Sequence, residues 1–222
     1  IVHDVAMQNL HVVFGVDRAG IVGKDGETHQ GVFDTSFLTN IPNMTVFTPG
    51  DFEELENILD YSINEMNSPV ALRYPRGGVK SSFNVDYGNF EPFKNQLLKE
   101  GSDLTVLSHG RISHEALNVV NKLEKEGVSC ELIYMRCINP VDYDSIFKSS
   151  NKTQNLLIID ENLEDTSIKD RITSKIIKEN KNIDINYLTL PNKFIEHGTV
   201  EDILNRYGLS ENGIYKKIKE IM

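Results

Sequence analysis

Short runs of apolar, largely β-branched residues recur along this chain, and stretches of helical period separate them. The runs occupy residues 11–17 (HVVFGVD), 44–48 (MTVFT), 69–74, 103–108, 128–134, 155–160 and 185–190. Several are apolar throughout rather than alternating, which suits a strand buried on both faces of a parallel sheet. The intervening stretches read as helices. Residues 51–66 set Leu55, Ile58, Leu59, Ile63 and Met66 on one face, with Asp51 placed as a cap and Glu53 and Glu54 in the first turn. Further helices are predicted over 113–126, opened by Ser113 and stopped by Gly127, and over 141–148, 166–178, 201–207 and 211–221. A short amphipathic piece spans 35–39. Strand and helix in alternation define an α/β fold.

The alternation lapses once, over residues 77–99, which hold Gly77, Gly78, Gly88 and Pro92 and no sustained period. A long structureless loop inside one domain is uncommon, so this stretch reads as a linker. The division is 1–80, a linker at 81–95, and 96–222. The chain opens on Ile1, with apolar residues at helical spacing (Ile1, Val2, Val5, Ala6, Leu10) and no capping residue before them. A helix without a start suggests a domain entered part-way.

Composition narrows the classes of function. The 222 residues carry 23 basic and 33 acidic side chains, a net charge of −10, which argues against a general nucleic-acid binder. No apolar run approaches the ~20 residues of a membrane span, and no secretory signal pattern is visible. Two cysteines, Cys130 and Cys137, make no disulfide framework, and no metal-ligand spacing is present. A reduced, cytoplasmic-type compartment is the expectation.

Ligands of open α/β sheets bind beyond the carboxyl ends of the strands. The loop after the first strand lies there and contains Gly20, Gly23, Gly26 and Gly31 among Arg18, Asp25 and His29. Glycines let the backbone approach a ligand closely. An arginine offers a forked donor to phosphate or carboxylate, and a histidine moves protons near neutral pH. Arg76, after the third strand, is placed to share that mouth, and two arginines there suggest an anionic substrate, most naturally a phosphate. Ordinary readings stand beside these. Arg18 could pair with Asp17 or Asp34, His29 could be a satisfied loop histidine, Asp25-Gly26 could be a turn, and Arg76 a surface charge. No G-x-G-x-x-G, P-loop or nucleophile elbow accompanies the loop.

Taken whole, residues 17–34 (DRAGIVGKDGETHQGVFD) resemble the 1-deoxy-D-xylulose-5-phosphate synthases, thiamine-diphosphate enzymes of the transketolase superfamily. IPNM at 41–44, ALRYPRG at 71–77 and LPNKFIEHGT at 190–199 extend the likeness over essentially the whole chain. It implies the C-terminal half of a pyrimidine-binding α/β domain followed by a complete transketolase C-terminal-type α/β domain. It further implies condensation of pyruvate with D-glyceraldehyde 3-phosphate, with loss of CO₂, to give 1-deoxy-D-xylulose 5-phosphate for isoprenoid, thiamine and pyridoxal biosynthesis. Thiamine diphosphate and Mg²⁺ would be held by a part of the protein preceding Ile1, and this chain alone would be inactive. The resemblance places Arg18 and Arg76 at the aldehyde phosphate and Asp25 and His29 at the reacting carbonyl. It implies a homodimer, in a bacterial cytoplasm or a plastid-type organelle. A general transketolase, a pyruvate-type dehydrogenase β-subunit and a noncatalytic dimerisation module are the alternatives. The segment 161–169 lacks the glycine-rich turn usual in the family, which leaves the shape of that loop open.

Overall fold

The computed structural model describes residues 1–77, 82–83 and 90–222. The strands are β1 (Val13–Asp17), β2 (Thr45–Phe47), β3 (Val70–Tyr74), β4 (Gln96–Lys99), β5 (Leu104–His109), β6 (Cys130–Met135), β7 (Cys137–Asn139), β8 (Asn155–Leu163) and β9 (Asp184–Leu190). The helices are α1 (Asp34–Leu38), α2 (Phe52–Asn64), α3 (Ile112–Glu124), α4 (Tyr143–Thr153), α5 (Lys169–Lys178), α6 (Val200–Arg206) and α7 (Glu211–Ile221).

They form two sheets. The first runs β1-β3-β2-β7 and the second β4-β6-β5-β8-β9. All the strands predicted from apolar runs pair in parallel, and most lie buried on both faces. The sequence reading missed two strands, β4 and β7. Both are short, both pair antiparallel, and both sit at a sheet edge. β7 comes from the C-terminal half yet completes the first sheet beside β2. One apolar cluster likewise joins Leu38, Met44, Val46 and Ala71 to Leu107, Ile133, Met135 and Ile138, so the two sheets share a core.

Several local expectations change. Asp51 caps α2 by accepting from the Glu54 amide at 2.9 Å, as its position predicts. Ser113 does not cap α3; it lies inside the helix, buried, and accepts from the Ser108 hydroxyl. The opening residues form one π-type turn, Val2–Ala6, in which only Ala6 is buried and Ile1, Val2, Met7 and Leu10 stay exposed. The segment 161–169 is not a loop at its start: β8 continues to Leu163 before a short 3-10 turn, Glu164–Thr166. The helix expected from Thr166 therefore begins at Lys169.

The expected boundary at 80/81 falls on residues outside those described, as do 84–89. The described parts of the linker are docked. Phe83 is buried and stacks on His114, with ring centroids 4.1 Å apart, and Phe90 and Phe93 pack near Phe47. Both cysteines are free and buried. Among the described residues no helix is long and apolar enough to cross a membrane.

Candidate active site

The carboxyl ends of β1 and β3 lie side by side, with Asp17 in register with Tyr74. The chain leaves β1 through Arg18 in the left-handed region, φ 64°, and the Ala19 amide then donates to the Tyr74 carbonyl at 2.9 Å. The Arg18 amide donates to the Asp17 carboxylate at 2.7 Å, which supports this costly conformation. A narrow neck closes the loop. Gly20 and Gly31 exchange backbone hydrogen bonds of 2.7 and 2.9 Å. A Cβ on Gly31 would lie 1.9 Å from the Arg18 carbonyl oxygen, so the strands of the neck meet only because that residue has no side chain. Within the loop, buried Gln30 accepts from the Val22 amide at 2.7 Å.

Beyond the neck, three of the four residues anticipated from the sequence meet, and His29 stands nearby. The Asp25 carboxylate lies between two arginines: Arg76 pairs with it closely, and Arg18 Nε is 3.5 Å away. Arg18 therefore pairs with Asp25 and not with the Asp17 or Asp34 side chains; Asp34 is taken by Arg73. The hydrogen bond from Arg76, with the charges of Arg76, Arg18 and His29, outweighs desolvation and holds the Asp25 carboxyl below the usual carboxylate range. His29 stands exposed on the same turn, its amide bonded to the Gly26 carbonyl and its Nδ1 2.8 Å from the Thr28 hydroxyl. About half of each arginine side chain is open to solvent. The arrangement is a pair of accessible arginine side chains that share one internal carboxylate.

A second layer lies beneath the loop, and the sequence reading did not include it. The carboxyl ends of β5 and β8 face those of β1 and β3 and supply His109, Arg111, Asp160, Glu161 and Asn162. Arg73, buried within β3, donates from Nη2 to Asp34 at 3.0 Å, to the Gly31 carbonyl at 3.1 Å and to Asn162 Oδ1 at 3.3 Å. Fully buried Asp160 sits 3.1 Å from His109 Nε2 and accepts from Ser167 and Asn162. Burial works against its charge, but the His109 contact and these hydrogen bonds prevail and keep the carboxyl ionised well below its ordinary range. The one available cue was a polar run, Asp160-Glu161-Asn162, on the end of an apolar strand.

Metal and cofactor ligands are a separate matter. Among the described residues no group of three or more His, Cys, Asp or Glu side chains could hold a metal ion.

Two sheets of this kind, with a glycine-rich loop at their facing carboxyl edges, form a transketolase-type α/β pair. Residues 1–81 match the transketolase pyrimidine-binding domain and residues 94–214 the transketolase C-terminal domain. The chain belongs to the transketolase family, with a match to its pyrimidine-binding domain followed by a match to its C-terminal domain. Within that family it is similar over its full length to 1-deoxy-D-xylulose-5-phosphate synthases, 39% identical to that of Carboxydothermus hydrogenoformans and 35% to that of Clostridium tetani. It spans 36% of the length of each of those relatives. A solved split-gene transketolase, described as an inactive beta4 tetramer, shares the fold, with a TM-score of 0.89 at 24% identity over 99% of this chain and 70% of that one.

Proposed function

We propose that this chain is the aldehyde-acceptor part of a 1-deoxy-D-xylulose-5-phosphate synthase. One observation carries the reading: Arg18 and Arg76 converge on a single carboxylate at the mouth of the strand-end loop. A phosphate monoester has the charge and the acceptor oxygens to replace that carboxylate, and arginine forks bind such oxygens with geometric specificity. The phosphate of D-glyceraldehyde 3-phosphate takes the arginines, and Asp25 is released toward the reacting end. As the new carbon–carbon bond forms, the aldehyde oxygen becomes an alkoxide. His29, exposed on the same turn, donates its proton, and Asp25 orients the imidazole or the pyruvate-derived group. Fixing the far end of the aldehyde restricts it to reactive poses.

Thiamine diphosphate and Mg²⁺ belong to a part of the protein other than the residues described here, and pyruvate is activated there. Residues 1–80, 81–95 and 96–222 act as pyrimidine-binding segment, linker and C-terminal domain of a homodimeric enzyme. In the full-length enzyme, Arg76→Ala should raise the KM for the phosphorylated aldehyde roughly ten- to hundredfold, the loss of about 1.5–3 kcal/mol expected for hydrogen bonds to a charged group. The KM for pyruvate should change far less. An unchanged aldehyde KM removes Arg76 from the phosphate site. The 222-residue chain, given thiamine diphosphate and Mg²⁺, should not decarboxylate pyruvate; turnover by this chain alone refutes the assignment of cofactor binding elsewhere.

A further inference from the structure

We propose that Arg111 and Glu161 are positioning residues that hold the neck of the substrate loop, and so set the placement of Arg18, Asp25 and His29. The inference rests on the function proposed above. Glu161 lies against Gly20: a Cβ built there would stand 2.2 Å from Glu161 Oε2 and 3.5 Å from Glu161 Cβ. Gly20 has φ +77°, a conformation that glycine adopts without strain. The other carboxylate oxygen, Oε1, accepts from Arg111 Nη2 at 2.6 Å. The same Nη2 lies 3.4 Å from the Ile21 carbonyl. Arg111 and Glu161 are mostly buried, with side chains 18% and 9% exposed. Arg111, paired with Glu161 and largely buried, thus holds the Ile21 carbonyl through one nitrogen while Glu161 packs against Gly20.

The opposite strand of the neck is held in a matching way. Arg73 donates to the Gly31 carbonyl and is itself steadied by Asn162. Glu161 and Asn162 are consecutive in β8, so one strand of the C-terminal half controls both sides of the neck. Everything proposed to touch substrate on this loop lies either between the two sides of the neck or, for Arg18, just before it. A small shift of Gly20 against Gly31 therefore moves Arg18, Asp25 and His29 relative to Arg76, which is anchored separately after β3. A misplacement of about 1 Å in such a site costs on the order of a hundredfold in rate. The C-terminal half, although it supplies none of the proposed substrate contacts, would thereby set the geometry of the acceptor site.

The test uses the full-length enzyme. Glu161→Ala and Arg111→Ala should each raise the aldehyde KM tenfold or more while the pyruvate KM stays within twofold. A general loss of folded enzyme would lower the apparent kcat and leave both KM values unchanged. Glu161→Gln and Arg111→Lys guard against misfolding of the alanine variants. Glu161→Gln keeps the side-chain shape and a hydrogen bond to Arg111, and should show a smaller rise in the same constant. Arg111→Lys keeps the charge on a differently shaped head, and should recover only part of the loss. If Arg76→Ala raises the aldehyde KM but folded Glu161 and Arg111 variants do not, the positioning role is refuted and the proposed function stands. If Arg76→Ala leaves that constant unchanged, the proposed function itself fails.

Discussion

Removing Arg136 should destabilise this fold more than most surface or loop changes, and the structure supplies the magnitude. Arg136 lies between β6 and β7 and is almost fully buried. Its Nε donates to Glu54 Oε1 at 2.8 Å, its Nη1 to the Glu91 carbonyl at 3.0 Å and its Nη2 to Gln96 Oε1 at 3.0 Å. Glu54, on α2, has no exposed surface; its second oxygen accepts from the Gly50 amide at 2.9 Å and from the Tyr134 hydroxyl. Arg136→Met keeps the apolar stem and leaves a buried carboxylate without its cation. Breaking a buried pair this way costs about 3–5 kcal/mol, against a total stability of order 5–15 kcal/mol. In urea unfolding of the 222-residue chain the midpoint should fall by roughly 1 M or more.

The pH dependence carries a second check. Burial already pushes the Glu54 carboxyl up, with Arg136 and the Tyr134 and Gly50 hydrogen bonds opposing. Without Arg136 the folded-state value rises further above the unfolded one, near 4.3. The folded variant then binds a proton that the unfolded chain does not, so its stability rises as pH is lowered from 7 toward about 5. The deficit relative to the parent should shrink over that range. The double variant Glu54→Gln with Arg136→Met removes both charges and should recover part of the loss. A deficit below about 1 kcal/mol at pH 7, or one that does not change with pH, refutes the claim that this pair is desolvated and coupled.

Other perturbations follow from the same contacts. Asp160→Asn should lower the melting temperature at pH 7. The depressed Asp160 carboxyl contributes stability above about pH 3.9 that is lost as pH falls, so the gap between variant and parent should narrow below about pH 4. Equal gaps at pH 7 and pH 3.5 refute the ionised assignment. Gly31→Ala sets a methyl 1.9 Å from the Arg18 carbonyl oxygen and should open the neck. Faster tryptic cleavage after Arg18 or Lys24 in the otherwise folded chain would show it, and an unchanged cleavage rate would show the neck to be compliant.

The central strands were legible because parallel strands buried on both faces must be largely apolar, as the LLII of NLLIID is; HVVFGVD, at the edge of the first sheet and only partly buried, carries the same pattern. β4 (QLLK) and β7 (CIN) were not, because an edge strand needs neither length nor continuous apolarity. The pairing of β7 with β2 also joins residues far apart in sequence, which no local pattern records. At the site, Arg18, Asp25, His29 and Arg76 stood out because they crowd a glycine-rich loop and a strand end. Arg73, Arg111, Glu161 and Asn162 looked ordinary. Arg73 reads as one polar residue in a strand, and the others gain their partners only when the carboxyl edges of two sheets meet. Ser113 misled because the residue type that caps a helix also satisfies a buried hydroxyl, here Ser108.

The strand exchanged between halves also bears on synthesis of the chain. β2 presents one edge to β3 and the other to β7. Phe47 meets Cys137 only after about 90 further residues have been made. At roughly 5–20 residues per second, the outer edge of β2 stays unpaired on a ribosome for on the order of 5–20 s. An open apolar edge of that duration is a template for unwanted pairing between nascent chains. A gene cut at the linker would make the exposure permanent, so the N-terminal portion expressed without β7 should depend on chaperones or on the C-terminal portion supplied beside it.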